Sequence, residues 1–143
     1  MKLLKDILYR AGIDDVVGNT HLAVEQICFD SREVEKLSAF VAVRGSQTDG
    51  HLYIDKAIER GSKLLVCEDL PETLVEGVTY VKVKNSAEAL GVMASNFYDD
   101  PSSKLKLVGV TGTNGKTTVV TLLHRLYRSM GHKAGLISTV VNM

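Results

Sequence analysis

The chain has 143 residues, 45% of them hydrophobic, and its 17 basic and 17 acidic residues give a formal net charge of zero. This length and composition are typical of a soluble globular chain of one domain or slightly more. Balanced charge gives no support to nucleic-acid binding, and no apolar run is long enough for a transmembrane helix. We therefore expect a cytoplasmic protein that acts on neither nucleic acid nor membrane.

Patterns of helix and strand alternate over the first hundred residues. Apolar residues at helical spacing predict a first helix over residues 3–11 that ends at Gly12. A capping box at Asn85 predicts a helix that runs to Phe97. Between them we predict strands at 23–30, 40–43, 64–67 and 78–83, a loop at 46–52, and a short helix from Ile54 to Gly61. Residues 1–101 are thus expected to form a small α/β domain.

The two cysteines, Cys28 and Cys67, lie in apolar strand-like runs and lack a Cys-x-x-Cys spacing. We expect both to be buried thiols in a reducing compartment rather than metal ligands or nucleophiles.

A second domain is predicted for residues 102–143, after the linker Asp99-Asp100-Pro101-Ser102-Ser103. It opens with an apolar run at 105–110, read as a buried parallel strand, and continues with a glycine-rich turn at 109–118 and an amphipathic helix. A further strand is predicted at 134–139. Strand, glycine-rich turn and helix stand in the order that a phosphate-binding loop requires.

The turn reads Gly-Val-Thr-Gly-Thr-Asn-Gly-Lys-Thr-Thr and carries the chemistry of a triphosphate site. Glycines let backbone N–H groups curl around an anion, at the positive end of the following helix. Lys116 is expected to reach the phosphates as the catalytic lysine, and Thr117 to ligate Mg²⁺. The predicted ATP-binding residues are Gly112, Thr113, Asn114, Gly115, Lys116, Thr117 and Thr118.

One position departs from the strict phosphate-loop pattern, since Val110 stands where that pattern has glycine. The alternative is a glycine-rich turn with an exposed lysine. ATP is the favoured nucleotide, although the loop alone does not distinguish ATP from GTP.

His124 and His132 are read as surface residues.

Three polar stretches in the first domain can be either ligand-binding loops at strand ends or solvated turns: residues 29–32, 44–51 and 53–61. Asp30 and Arg32 are expected to form a local ion pair. For His51 a phosphate contact and a hydrogen-bonding role at a helix start are both open.

These motifs, in this order, resemble the Mur ligases of peptidoglycan synthesis. The resemblance rests on Asp-Ser-Arg at 30–32, on Val-Arg-Gly followed by Asp-Gly-His-x-Tyr-Ile over 43–54, and on Thr-Gly-Thr-Asn-Gly-Lys-Thr-Thr. It implies a uridine-diphosphate-binding first domain and the start of a Rossmann-like ATPase domain. Where the family usually has Pro-Gly-Asp, this chain has Leu37-Ser38-Ala39, and it has Ser46 where histidine is frequent. The UDP-contacting positions implied are Phe29, Ser31, Ser46, Gln47 and Thr48.

The resemblance further implies an ATP- and Mg²⁺-dependent amide ligase, expected to be a monomer. It would add the third amino acid to UDP-N-acetylmuramoyl-L-Ala-D-Glu through an acyl phosphate. Its partners would be that UDP-linked dipeptide and a free amino acid. The ligase that adds the terminal dipeptide, an unrelated P-loop NTPase and a non-catalytic UDP-sugar-binding module are the alternatives. Because one βαβ unit leaves apolar faces uncovered, we expect a fragment that is inactive alone. The sequence does not identify the third amino acid.

Overall fold

The computed structural model describes residues 1–46, 48–140 and 142. They divide into two compact units, Met1–Lys104 and Leu105–Met143. Each unit is considered by itself.

A five-stranded sheet with helices on both faces forms the first unit. The elements are β1 Lys2–Leu3, α1 Leu4–Ile7, β2 Ile13–Val17, β3 Ala23–Val24, β4 Gln26–Cys28, β5 Ser38–Val41, α2 Ile54–Glu59, β6 Leu64–Cys67, β7 Thr79–Val83 and α3 Ser86–Phe97, with 3₁₀ turns at Ser31–Glu33, Gly50–Tyr53 and Pro101–Lys104. The strand order in the sheet is β2-β7-β6-β5-β4, with β4 to β7 parallel and β2 antiparallel at one edge. A separate two-stranded ladder joins β1 and β3.

Alternate residues of the central strands build two cores, one on each face of the sheet. On β6, Leu64 and Val66 pack with α1 and α3, whereas Leu65 and Cys67 pack with α2. Both faces are covered, as in other parallel sheets, and the central strand β6 is therefore apolar at every position. This explains why the strands predicted at 40–43, 64–67 and 78–83 were recognisable in the sequence.

The cysteines are buried, as predicted. Burial raises the pKa of both thiols to about 11, so neither is a thiolate near neutral pH.

Two predictions in the first unit need correction, and one strand was not predicted. The first helix covers only Leu4–Ile7, although Leu8 and Ala11 remain in the core. The predicted strand 23–30 is two short strands, because β3 pairs with β1 and β4 pairs with β5. Strand β2 was missed, since it lies at an edge with mostly exposed residues and has no apolar alternation.

Among the described residues of the second unit, one helix forms, α4, over Lys116–Ser129. The strands predicted at 105–110 and 134–139 are not formed in the described residues: the first segment has no ladder, and the second contributes only an isolated bridge between Ile137 and Asn142. A strand needs a neighbouring strand to form its ladder, and neither segment is paired in such a ladder in the described residues of this unit. Within the described residues, no helix combines the length and the apolar character required to cross a membrane.

The prediction that His124 is a surface residue is wrong. Its side chain is buried, and Nε2 lies 3.1 Å from the carbonyl oxygen of Ala134. The opposite face of α4 leaves Val119, Leu122 and Leu126 exposed. His132 is exposed, as predicted.

Candidate functional site

A cleft of about 630 Å³ lies at the carboxyl ends of β4 and β5. Because these two strands are adjacent and parallel, the segments that follow them leave the sheet at the same edge. The segment after β4 forms one wall, the segment after β5 forms another, and the start of α2 forms the third. The lining residues are Phe29, Asp30, Ser31, Arg32, Val43, Gly45, Thr48, Gly50, Tyr53 and Lys56.

Three of the five predicted UDP-contacting residues line this cleft: Phe29, Ser31 and Thr48. Ser31 is buried, whereas the Phe29 ring is 65% exposed and therefore available for stacking. Ser46 is exposed on the loop but is not among the lining residues. Gln47 lies outside the described residues.

The cleft also contains two residues that were not singled out in the sequence, Tyr53 and Lys56. Tyr53 adds a second partly exposed ring, and Lys56 adds a cation. The polar stretch 53–61 had been noted as a possible ligand-binding element, but helical spacing alone could not show which of its residues face the cleft.

Asp30 and Arg32 form the predicted ion pair on the cleft wall. Arg32 donates from Nε and Nη2 to both carboxylate oxygens of Asp30, with the shortest distance 2.6 Å. These hydrogen bonds from Arg32 lower the pKa of Asp30 to about 2. The carboxylate is therefore ionised and paired, which reduces its repulsion of an anionic ligand in the same cleft.

His51 has a hydrogen-bonding role at a helix start, one of the two roles left open for it. Its backbone N–H donates to the Asp49 carboxylate at 2.9 Å, at the start of the 3₁₀ turn Gly50–Tyr53. The ring is fixed as well, between Asp49 and the backbone N–H of Glu68.

The glycine-rich loop in the second unit has the backbone that an anion site requires. Gly115 lies in the left-handed region with φ 74° directly before α4, and Gly112 has φ 148°. The first hydrogen bond across the amino end of α4 runs from Val119 N–H to Gly115 O, which leaves the preceding N–H groups of this turn for an external acceptor. Lys116 Nζ donates to the carbonyl oxygens of Gly112 and Thr113, at 2.5 and 3.4 Å.

These residues fit a magnesium-bound polyphosphate. The ammonium of Lys116 already lies over the loop, at the positive end of α4. Thr117 occupies the second helical position, where its hydroxyl would be a magnesium ligand beside the phosphates. No group of three or more His, Cys, Asp or Glu residues suited to a metal occurs in the part of the chain that the structure describes.

The fold is that of an α/β protein with a cleft at the carboxyl ends of its parallel strands, and the loop before α4 has the sequence pattern of a phosphate-binding loop. The profile described as "Mur ligase family, catalytic domain" matches residues 23–98. The chain belongs to the Mur ligase family.

Among its relatives, the UDP-N-acetylmuramoyl-L-alanyl-D-glutamate–2,6-diaminopimelate ligases of Cytophaga hutchinsonii and Phocaeicola vulgatus are 58% and 54% identical to it over 98% and 99% of the chain. The chain spans 29% of the length of these curated relatives.

Solved structures show the same fold. MurF from Acinetobacter baumannii matches 90% of this chain and 28% of its own with a TM-score of 0.67 at 21% identity. MurF ligase from Thermotoga maritima in complex with ADP matches 74% of this chain and 24% of its own, with a TM-score of 0.57 and 28% identity.

Proposed function

We propose that this chain supplies the UDP-binding unit and the phosphate-binding loop of an ATP-dependent amide ligase that adds the third amino acid to UDP-N-acetylmuramoyl-L-Ala-D-Glu. The observation that carries the proposal is the cleft at the ends of β4 and β5, where Phe29, Ser31 and Thr48 come together from separate motifs. An unrelated P-loop NTPase without a UDP-linked substrate would not need such a cleft. In this proposal residues 1–101 bind the UDP end, and residues 102–143 begin the ATP-binding domain.

The cleft suits a uridine diphosphate in shape and chemistry. Phe29 and Tyr53 present aromatic surface to a base, while Ser31 and Thr48 offer hydroxyl groups to polar edges. Lys56 places positive charge where a diphosphate would lie, whereas the charge of Arg32 is offset by Asp30. Ser46 and Gln47 remain proposed contacts on the same loop.

The reaction needs an activated carboxyl group, because an amine does not displace oxide from a carboxylate. ATP, with Mg²⁺ on its phosphates, would transfer its γ-phosphoryl group to the dipeptide carboxylate and leave as ADP. The incoming amine would then attack the acyl phosphate, expel phosphate and lose a proton to give the amide. Lys116 and the N–H groups of residues 112–118 would neutralise the charge that spreads over the transferred phosphoryl group. Thr117 would hold the metal ion in place.

Diaminopimelate is the third amino acid that we propose. Relatives 49–58% identical over nearly the whole chain are named as 2,6-diaminopimelate ligases. The structural likeness to MurF shows a shared fold, and at 21% identity it does not favour addition of the terminal dipeptide. We further propose that the protein acts as a cytoplasmic monomer.

Ligand binding tests the assignment of the two units. Calorimetry of this chain should show binding of the UDP-linked muramoyl dipeptide and of UDP, with much weaker binding of UMP. ATP–Mg²⁺ should bind independently of the UDP ligand. Absence of any heat with the UDP ligands would refute the proposed first-unit function, whereas absence with ATP alone would refute the role of the loop.

Lys116→Ala in the full-length enzyme should reduce product formation by at least about 100-fold, because a preorganised charge on the transferred group is lost. Its dissociation constant for the UDP-linked dipeptide should stay within about twofold of the wild type, since the lysine is not in the cleft. Lys106→Ala, which removes an exposed lysine of the same unit, is the control and should keep wild-type turnover. Equal turnover in the Lys116 variant would contradict the assigned role.

A further inference from the structure

A network of side chains joins the carboxyl ends of three parallel strands beside the cleft. Arg44 follows β5, Glu68 follows β6, and Ser86 begins α3 after β7. None of the three is among the residues that line the cleft. Their contacts connect the loop after β5 to the neighbouring strand ends.

Arg44 is the centre of this network. Its Nη1 lies 3.1 Å from Glu68 Oε2, its Nε lies 3.5 Å from Asp49 Oδ2, and its Nη2 donates to Asp69. A planar guanidinium with donors in several directions can meet three carboxylates at once, which an ammonium cannot do. The hydrogen bonds from Ser86 lower the pKa of Glu68, and those from His51 lower the pKa of Asp49.

His51 closes the network into a cycle of contacts. The backbone N–H of Glu68 donates to Nε2 at 2.9 Å, so this nitrogen must carry a lone pair. Nδ1 lies 2.6 Å from Asp49 Oδ1, and it therefore carries the proton that the carboxylate accepts. The contacts run from Arg44 to Asp49, to His51, to Glu68 and back to Arg44.

This cycle of contacts lies at the base of the narrow loop that follows β5. Gly45 N–H donates to Thr48 O at 3.0 Å, and Gly50 N–H donates to Val43 O at 2.8 Å. Arg44 and Asp49, at the two ends of the loop, form an antiparallel bridge. Gly45, Thr48 and Gly50 of this loop line the cleft. The cycle of contacts therefore supports one wall of the cleft through residues that do not line it.

Charge argues against a direct phosphate contact by Arg44. One guanidinium faces three carboxylates, and the ring of His51 is neutral in the tautomer described above. The group therefore carries excess negative charge and would repel a diphosphate. Arg44 has its electrostatic partners within the protein.

We infer that Arg44 is a positioning residue, which fixes Gly45 and Thr48 in the conformation that binds the UDP end of the substrate. The inference rests on the proposed function, because it assigns the loop to UDP recognition. In this inference Arg44 is not one of the groups that contact phosphate. Loss of Arg44 should thus weaken binding of the UDP substrate and leave the chemical step unchanged.

Steady-state kinetics of the full-length enzyme test this inference. Arg44→Gln should raise KM for the UDP-linked dipeptide about tenfold, equivalent to about 1.4 kcal/mol, while kcat and KM for ATP stay within about twofold. Arg44→Lys should give an intermediate KM because one ammonium replaces only part of the network. Lys84→Gln is the matched control: it removes an exposed cation 3.9 Å from Asp14, outside the cleft, and should behave like the wild type.

Amide hydrogen exchange of this chain without ligand gives a readout that general destabilisation would not produce. In Arg44→Gln the amides of Gly45 and Gly50 should exchange about tenfold faster, with those of β6 unchanged. If Arg44→Gln fails to fold, the same measurements on Arg44→Lys and Asp69→Asn decide the question.

If Arg44→Gln leaves KM for the UDP substrate unchanged, or lowers only kcat, the inference about Arg44 is overturned. The proposed function still stands in that case, provided that the wild type binds UDP ligands. If the wild type itself does not bind UDP ligands, the proposed function fails first.

Discussion

Leu37 adopts a backbone conformation that leucine rarely occupies. Its φ is 65°, in the left-handed region, and its side chain is largely exposed. A Cβ atom there approaches the following carbonyl group, at a cost of about 1–2 kcal/mol. The turn is retained because it delivers Ser38 into β5 and lets the Leu37 carbonyl accept a hydrogen bond from Glu25 N–H at 3.0 Å. The departure from the family's usual residues at 37–39 thus falls on a strained turn.

Leu37→Gly should raise the free energy of unfolding by about 1 kcal/mol, because relief of the left-handed strain exceeds the extra chain entropy of glycine. Urea unfolding of this chain, followed by circular dichroism, measures the change. Leu74→Gly is the control, since Leu74 is similarly exposed without a positive φ, and it should lower stability. If both substitutions destabilise equally, the turn is not strained.

At the scale of elements, two glycines show how environment decides the effect of one methyl group. A Cβ at Gly50 would lie 2.7 Å from Val43 N and 2.8 Å from Val43 O, both of them backbone atoms that cannot easily move. At Gly91, in the middle of α3, a Cβ would meet nothing within 4 Å. The first glycine allows the loop to close on β5, and the second only weakens a helix.

Gly50→Ala should therefore lower the free energy of unfolding by about 2 kcal/mol through the backbone clash, and it should also weaken binding of the UDP ligand. Gly91→Ala should raise stability by about 1 kcal/mol, since alanine has the higher helix propensity. Urea midpoints of the two variants at equal protein concentration provide the comparison. Stabilisation by Gly50→Ala would contradict the close approach in the loop.

At the scale of the molecule, the first unit contains everything that its own core requires. Both faces of its sheet are covered, by α1 and α3 on one side and by α2 on the other. Its two ends are joined, because Asn96 Nδ2 donates to the carbonyl oxygens of Ile7 and Tyr9 at 2.8 and 2.7 Å. A unit with a closed core and internal hydrogen bonds is expected to fold independently.

A polypeptide of residues 1–104 should therefore fold alone and bind the UDP-linked dipeptide within about twofold of the affinity of the whole chain. Circular dichroism and calorimetry measure the two properties. A polypeptide of residues 1–92 removes Met93 and Asn96, and it should fail to fold because the core and the closing hydrogen bonds are lost. An unfolded 1–104 polypeptide would contradict the independence of the unit.

Local patterns determined the parts of this protein whose causes are local. The central strands were evident from continuous apolar runs, and α3 from Asn85, whose side chain accepts a hydrogen bond from Glu88 N–H at 3.0 Å. The glycine-rich turn before α4 was predicted from residues that include Gly112 and Gly115, both of which have a positive φ, a conformation that favours glycine. The cleft residues after β4 and β5 were predicted through the family resemblance and not by periodicity.

The tertiary structure alone decided what depends on pairing and on contacts between distant segments. Edge strand β2 is a strand because β7 supplies its hydrogen bonds, and residues 23–28 divide because β3 and β4 have different partners. Likewise, Arg44 and Glu68 are 24 residues apart, and only the parallel order of β5 and β6 places their side chains together. Sequence patterns report the surface that each segment buries, whereas the register between segments sets which side chains meet.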